Sequence, residues 1–379
     1  MRRMSLRCHV VSRWGKLKHA LPAPIGANVG QTLSSVNPAI PAISSRLLSL
    51  SLLLLLAATA FSATRPHYGG VLRVEVRESI ETADPPQTGR LAELTNAFTI
   101  SEWEAGRRAV YSADANAAGG RPFLDGVEVH MGRPLQDQSI ALNAGKADLV
   151  QLDPSEPQRT AGGHKAWTSG PMRLLVLLFG PRIEDPRVRE ALALAVDRSS
   201  IHRAMLQRQG EISSALLPQW LSGDAFLFPV VTDVAKARAL LAGVPAAART
   251  FSLGVSDPSH RPIADRIAIN ARDAGLMVFA APPRANADAR LVEVRIGSSD
   301  PALALSGVAS ALGLPLPPRT DSPEALYTAE RALLDGFRVV PLFHLPDVYE
   351  VNPRVKGGPG ISPLGEWRFE NLWVEAGRP

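Results

Sequence analysis

The chain has 379 residues, of which 45% are hydrophobic and 20% charged, so it is long enough for two globular lobes or domains. Its net charge of +5 does not indicate nucleic-acid binding: seven of its 41 Lys and Arg lie within 1–60, where there is no acidic residue, leaving 34 basic residues against 36 acidic ones. The single cysteine, Cys8, lies in the same segment, which excludes disulfides and a thiol nucleophile from the rest of the chain.

Residues 1–60 have the pattern of a leader. An apolar run at 47–60 follows Arg46 and ends in Ala58-Thr59-Ala60. A basic segment, a short apolar core and small residues at the end are typical of a secretory signal, so we expect cleavage before Phe61 and a periplasmic product. A membrane anchor is the alternative if the signal stays uncleaved, although the run is shorter than the roughly 20 residues that span a bilayer.

The first half of the exported part alternates strand and helix patterns. Residues 71–76 alternate apolar and charged side chains, as a strand with one solvent-exposed face does. Residues 136–150 are predicted to form a helix, a glycine turn and a strand. Residues 154–170 are rich in Pro, Gly and polar side chains and are predicted to form a loop.

A wholly apolar segment, 174–179, precedes the clearest helix signal in the chain. A strand without alternation is predicted to be buried on both faces. Asp185-Pro186 then begins a helix, because Asp accepts hydrogen bonds from the first turn and Pro at the first position has no N–H to satisfy. The spacing predicts one apolar stripe, formed by Val188, Leu192, Ala195 and Val196. It predicts an exposed polar side, formed by Arg187, Arg189, Glu190, Asp197 and Arg198.

The second half repeats the alternation. Strand patterns at 251–255 and 276–279 flank a helix pattern at 262–274, and this βαβ unit implies a parallel sheet. Another helix begins at Ser322-Pro323. A strand follows at 338–344, where Pro341 is expected at a strand end or sheet edge.

Patterns for catalysis, metal binding and phosphate binding are missing from the sequence. It contains no G-x-S-x-G, no G-x-x-x-x-G-K, and no pair of His residues at metal-ligand spacing. We therefore expect neither an enzyme nor a protein with a cofactor or a metal.

The segment D-P-R-V-R-E-A-L-A-L-A-V-D-R, at 185–198, resembles the hallmark of the family 5 extracellular solute-binding proteins of ABC importers, the peptide- and nickel-binding group. Further resemblances follow in the family's order, from Gly-Gly-x-Leu-Arg-Val at 69–74 through G-G-R-P-F-L-D-G-V at 119–127 to the closing segment at 351–373. Only a few residues separate Asp84 from Phe98, where full-length members insert an accessory subdomain, so that subdomain is predicted to be missing.

The resemblance implies a two-lobed α/β fold of the type II periplasmic-binding-protein kind. The chain would cross between lobes near Phe179 and Val340. Lobe one would then comprise 66–179 plus 341–379, and lobe two 180–340. A monomer would bind a small-molecule or peptide solute in the cleft and deliver it to ABC permease subunits. A non-transport scaffold or sensor subunit that kept the fold and lost the cleft is the alternative.

Three residues are candidate ligand contacts, each with a structural alternative. Ser298-Ser299-Asp300-Pro301 stands where peptide-binding members place an acidic residue against the ligand's amino group, but Asp300 also suits a helix N-cap. Trp103 is a candidate for stacking on a ligand or for filling the core. His344 ends a predicted strand between the lobes and is a candidate for facing the cleft.

Overall fold

The computed structural model describes residues 65–81, 91, 94–152, 163–282 and 286–375. All of these belong to one compact unit, 65–379. The predicted signal in 1–60 and the Asp84 segment lie outside the described residues, as does 154–162 of the loop predicted at 154–170. In the described part of that loop the prediction is wrong, because Lys165–Thr168 forms a strand that pairs with Val348–Val351.

The described residues form strands and helices in an alternating order. The strands are β1 (Val71–Glu75), β2 (Phe98–Glu104), β3 (Arg108–Ala113), β4 (Gly126–His130), β5 (Leu149–Leu152), β6 (Lys165–Thr168), β7 (Arg173–Phe179), β8 (Glu211–Ile212), β9 (Thr250–Val255), β10 (Met277–Ala280), β11 (Ala289–Arg295), β12 (Val339–Leu345), β13 (Val348–Val351), β14 (Val355–Lys356) and β15 (Trp373–Val374). The α-helices are α1 (Leu135–Asn143), α2 (Pro186–Ala195), α3 (Arg198–Ala204), α4 (Gln219–Ser222), α5 (Val234–Leu240), α6 (Arg261–Asp273), α7 (Pro301–Ala311) and α8 (Pro323–Leu334).

Two mixed sheets organise these elements. The first has the order β2-β3-β4-β1-β5-β13-β6, and the second has the order β10-β9-β11-β7-β12-β8. Strand β1 pairs in parallel with β4 and β5, and β9 pairs in parallel with β10 and β11. The predicted α/β class and the βαβ unit formed by β9, α6 and β10 are therefore confirmed.

Strand β7 is buried on both faces, as its unbroken apolar sequence predicts. Leu175 and Leu177 point into the core beneath α2 and α6, whereas Leu174 and Val176 point into the core beneath α7 and α8. Successive side chains of a strand point to opposite faces, so one apolar strand supplies two cores. The prediction for 174–179 is confirmed.

Helix α2 begins as predicted but is not a surface helix. The Asp185 carboxylate accepts a 2.9 Å hydrogen bond from the Arg187 N–H, and Leu192 is fully buried. The expectation that Arg189 and Arg198 are exposed is wrong, since both are buried. Arg189 donates to the Gly336 carbonyl oxygen at 2.7 Å and, through Nη1, to two further carbonyl oxygens. Nη1 and Nη2 of Arg198 donate to the carbonyl oxygens of Ala193 and Pro341.

The chain passes between the two sheets at 169–172 and again at 346–347. We call residues 65–168 and 348–375 the first lobe, and 173–345 the second lobe. The sequence predicted crossings near Phe179 and Val340, but these two residues lie at the ends of β7 and β12 that are farther from the connections. Both strands belong to the second sheet over their whole lengths. An apolar strand carries no signal of which sheet it joins, since distant partners decide that.

Candidate functional site

The carboxyl ends of the parallel strands in the two lobes meet across a cleft, and side chains bridge it. Arg77 follows β1, and its guanidinium lies 2.7 Å from a carboxylate oxygen of Asp257, which follows β9. The same guanidinium donates a 2.9 Å hydrogen bond to the Ser259 hydroxyl. Since ligands of open α/β sheets bind beyond the carboxyl ends of the strands, this cleft is the candidate site.

Asp347 lies in one of the two connections and is fully buried. Its carboxylate oxygens lie 2.7 Å from Nη1 of Arg295 and 3.3 Å from Nε of Arg173. Its N–H donates a 2.8 Å hydrogen bond to the Ser169 hydroxyl, so the two connections are bonded to each other. This ionic cluster fixes the end of the cleft at which the chain crosses.

Glu293, on β11, continues the ionic cluster into the cleft. Both of its oxygens lie 3.1 Å from Nη1 of Arg173, and Oε2 lies 3.3 Å from Nε2 of His260. Burial opposes ionisation of Glu293, but the charge of Arg173 and the contact with His260 outweigh it and hold the pKa of Glu293 well below its usual range. Glu293 is therefore ionised throughout the physiological pH range.

Little space remains between these side chains. A cavity of about 10 Å³ lies between the lobes. Its lining residues are Arg77, Leu135, Gln151, Leu152, Arg173, Ser259 and His260. That is about the space of one water molecule, and Nδ1 of His260 has no hydrogen-bond partner among the described residues. A solute can enter this part of the cleft only if the lobes move apart.

A larger cavity, of about 600 Å³, opens on the first lobe at the ends of β1 and β4 and at the turn between β2 and β3. Its lining residues are Ser79, Glu104, Gly106, Arg107, Arg108, His130, Met131, Gly132 and Arg133. Arg108 lies 2.6 Å from Glu102 and 2.8 Å from Glu128, and Arg133 lies 3.5 Å from Glu75. These carboxylates offset the arginines, so the cavity shows no clear preference for an anion.

The three residues predicted as ligand contacts lie in different parts of the fold. Trp103, on edge strand β2, is partly buried against the core of the first lobe. Asp300 caps α7 and accepts a 2.9 Å hydrogen bond from the Leu303 N–H. His344 is fully buried in β12, with Nε2 at 3.2 Å from the carbonyl oxygen of Leu216. None of the described hydrogen bonds or ring contacts joins two of these three.

Burial also determines the charge of His344. Loss of water around the ring lowers the pKa of His344 to about 4, against the opposing effect of its hydrogen bond to Leu216. The imidazole is therefore neutral at physiological pH, and it contacts the polypeptide backbone.

Sequence reasoning missed the ionic residues that fill the cleft, above all Arg173, Glu293 and Asp347. One signal was available, since Glu293 and Arg295 alternate with apolar residues in the segment 291–296. Charged groups in such a strand require partners, because burying an unpaired charge is costly. The identity of those partners depends on pairing across the sheet and is not encoded locally.

Two general features of the described residues bear on the site. No three His, Cys, Asp or Glu side chains among them are arranged to hold a metal ion. No helix among them has both the length and the apolar character that crossing a membrane requires.

Solved structures with this fold include several solute-binding proteins. The ABC transporter substrate-binding protein CtaP of Listeria monocytogenes has a TM-score of 0.61 and 17% identity, covering 73% of this chain and 66% of its own. DppA of Helicobacter pylori, in complex with peptide STSA, has a TM-score of 0.61 and 16% identity, with 74% and 63% coverage. NikA of Staphylococcus aureus, in complex with Ni(L-His)2, has a TM-score of 0.61 and 15% identity, with 74% and 68% coverage.

This chain thus spans about two thirds of the length of these proteins. At such low identity they establish the two-lobed fold alone, and no protein with a curated description matches the chain. The family model for bacterial extracellular solute-binding proteins, family 5, matches residues 24–294, which is more than half of the sequence. The chain therefore belongs to family 5 of the bacterial extracellular solute-binding proteins.

Proposed function

We propose that this protein is the solute-binding component of an ABC importer, exported to the periplasm and acting as a monomer without catalysis. The observation that carries the proposal is the polar cleft between the carboxyl ends of the parallel strands of the two sheets. Both chain connections lie at one end of this cleft. Two connections side by side permit hinge closure around a solute. ABC permease subunits would then receive the solute from the closed protein.

The solute would be a small molecule or peptide held between the lobes. Peptide STSA in DppA and Ni(L-His)2 in NikA make both chemistries candidates. Of the predicted contacts, Asp300 and Trp103 are partly accessible, and we propose them as contacts in an opened cleft. We propose His344 as well, on the condition that opening uncovers its ring, which is fully buried here.

Ligand-dependent thermal melting of the exported protein tests this proposal. A solute at about 100 times its Kd should stabilise the folded state by roughly 2.7 kcal/mol. We expect little stabilisation by di- to pentapeptides at millimolar concentration, because Ser298-Ser299-Asp300-Pro301 lacks the aromatics that would stack on a peptide. A wider screen of sugars, metal complexes and small cations should give a shift. Strong stabilisation by ordinary peptides would contradict the expectation that this protein binds them weakly.

One observation favours a second candidate, a scaffold or sensor subunit that does not bind a solute. We call the part of the cleft lined by Arg77, Arg173 and His260 the inner cleft. Among the described residues there, the protein's own ion pairs leave a cavity of about 10 Å³. If the protein is a scaffold, no compound in the screen should change its Tm, and its small-angle scattering should stay the same with every compound. A single compound that both raises Tm and alters the scattering would exclude the scaffold.

A further inference from the structure

One ion pair joins the lobes away from the chain connections. Arg77 of the first lobe and Asp257 of the second lie 2.7 Å apart, and each side chain is 24% exposed. Within the first lobe the backbone N–H of Arg77 donates to the Gln151 side chain at 3.1 Å, and within the second lobe the Asp257 carboxylate accepts from the Ser259 N–H at 2.9 Å. The Asp257 carboxylate is therefore positioned by its own lobe, and the pair is partly shielded from water, unlike an ordinary surface ion pair.

The order of the strands places this pair at a distance from the hinge. In the first sheet β1 is two strands away from β13, and in the second sheet β9 is two strands away from β7. Strands lie about 4.8 Å apart, so the backbones of β1 and β9 lie roughly 10 Å from the strands that lead into the connections at 169–172 and 346–347. The cavity of about 10 Å³ lies beside it.

The ionic cluster at the connections has a different role. Asp347, which pairs with Arg173 and Arg295, is itself part of a connection, so this cluster can remain intact while the lobes rotate. The Arg77–Asp257 pair cannot remain intact, because its members belong to opposite lobes beyond the hinge.

We infer that Arg77 and Asp257 form an interlobe clasp that holds the cleft closed without solute. A solute that uses the inner cleft must first break this ion pair. The clasp is therefore an autoinhibitory contact that sets how often the inner cleft is accessible. It requires no bound ligand, so it can be tested independently of the proposed transport function.

The test measures the distance between the lobes in the full-length protein. Spin labels are attached to cysteines introduced at Asn143 on α1 and Arg272 on α6, both exposed, in a Cys8→Ser background. In the ligand-free protein, double electron–electron resonance should give one short distance. With Arg77→Ala, or with Asp257→Ala, we expect a second, longer distance and about a tenfold lower ratio of closed to open molecules, which corresponds to about 1.4 kcal/mol.

Two further variants make the test specific. The double variant Arg77→Asp with Asp257→Arg restores the attraction with exchanged charges and should recover the short distance. Arg121→Ala removes an exposed ion pair with Asp125 inside the first lobe and should leave the distance unchanged. If an alanine variant does not fold, Arg77→Gln and Asp257→Asn take its place.

The clasp is refuted if the wild type is already open, or if all folded single variants keep its distance distribution. If the Arg77 and Asp257 variants open but no compound raises the melting temperature, the clasp proposal stands and the result counts against transport. Variants that stay closed while a solute binds would refute the clasp and leave the transport proposal standing.

Discussion

The guanidinium of Arg173, on β7, lies 3.1 Å from both carboxylate oxygens of Glu293, on the neighbouring strand β11. Arg173 is almost fully buried. Burial alone would lower the pKa of Arg173, but the charges of Glu293 and Asp347 outweigh it and raise this pKa above its usual value. The buried guanidinium of Arg173 thus depends on Glu293 and Asp347 to offset the cost of burying its charge.

Removing Arg173 should therefore destabilise the protein strongly. Arg173→Ala leaves Glu293 and Asp347 buried with less compensation, and breaking a buried ion pair typically costs about 3–5 kcal/mol. Urea unfolding measures this loss. Arg121→Ala, which breaks a half-exposed pair with Asp125, should cost less than about 1 kcal/mol. Equal midpoints for the two variants would mean that the ionic cluster contributes no more than a surface pair.

Glu293 should give the protein a sensitivity to acid. Its pKa in the folded state lies below the unfolded value of 4.5, so its stabilising contribution is present above pH 4.5 and is lost as the pH falls further. Glu293→Gln should flatten the dependence of unfolding free energy on pH below 4.5. Glu184→Gln, at an exposed position, is the control and should keep the wild-type slope. Identical slopes for both variants would show that Glu293 does not titrate with unfolding.

Sequence patterns predicted the parts of the fold that depend on local spacing. The apolar run of β7, the Asp185 cap and the βαβ unit all follow from periodicity and capping, because these signals lie within a few residues of each other. The lobe boundaries depend on which distant strand pairs with β7 and β12, and local patterns carry no information about that choice.

In the candidate site, too, the sequence predicted features that depend on neighbouring residues and missed those that depend on distant contacts. Asp300 was recognisable as a helix cap from its Pro neighbour, and the structure places it at the start of α7. The exposure expected for Arg198 failed because its guanidinium bonds to the carbonyl oxygens of Ala193 and Pro341, the second of them 143 residues away. The Arg77–Asp257 contact likewise joins two lobes and has no counterpart in local sequence.

Glu330, on α8, should make the protein less stable at alkaline pH. Its buried carboxylate accepts hydrogen bonds from the N–H groups of Leu216 and Leu217, at 2.5 and 3.0 Å. Burial raises the pKa of Glu330 to about 7, against the lowering effect of these bonds. Because this pKa lies above the unfolded value of 4.5, its contribution to stability is complete below pH 4.5 and is lost as the pH rises through about 7.

Glu330→Gln keeps an oxygen acceptor for both N–H groups and removes the charge. The variant should match the wild type at pH 4 and exceed its unfolding free energy at pH 8 by on the order of 3 kcal/mol. Denaturant titrations at the two pH values measure the difference. Glu184→Gln again serves as the exposed control and should change neither value. A Glu330→Gln variant that is less stable than wild type at pH 8 would show that the ionised carboxylate is needed.

Asp300 has a structural role at the start of α7 and a proposed role in solute binding, and substitution separates the two. Asp300→Ala removes the acceptor for the Leu303 N–H and should cost about 1 kcal/mol in unfolding free energy. Asp300→Asn keeps a good N-cap, so it should unfold close to wild type while lacking the negative charge. If Asp300 also contacts a cationic solute, Asp300→Asn should abolish the Tm shift produced by that solute and leave the ligand-free Tm unchanged. A full solute shift in Asp300→Asn would restrict Asp300 to capping, since the amide supports the helix but cannot form the ion pair.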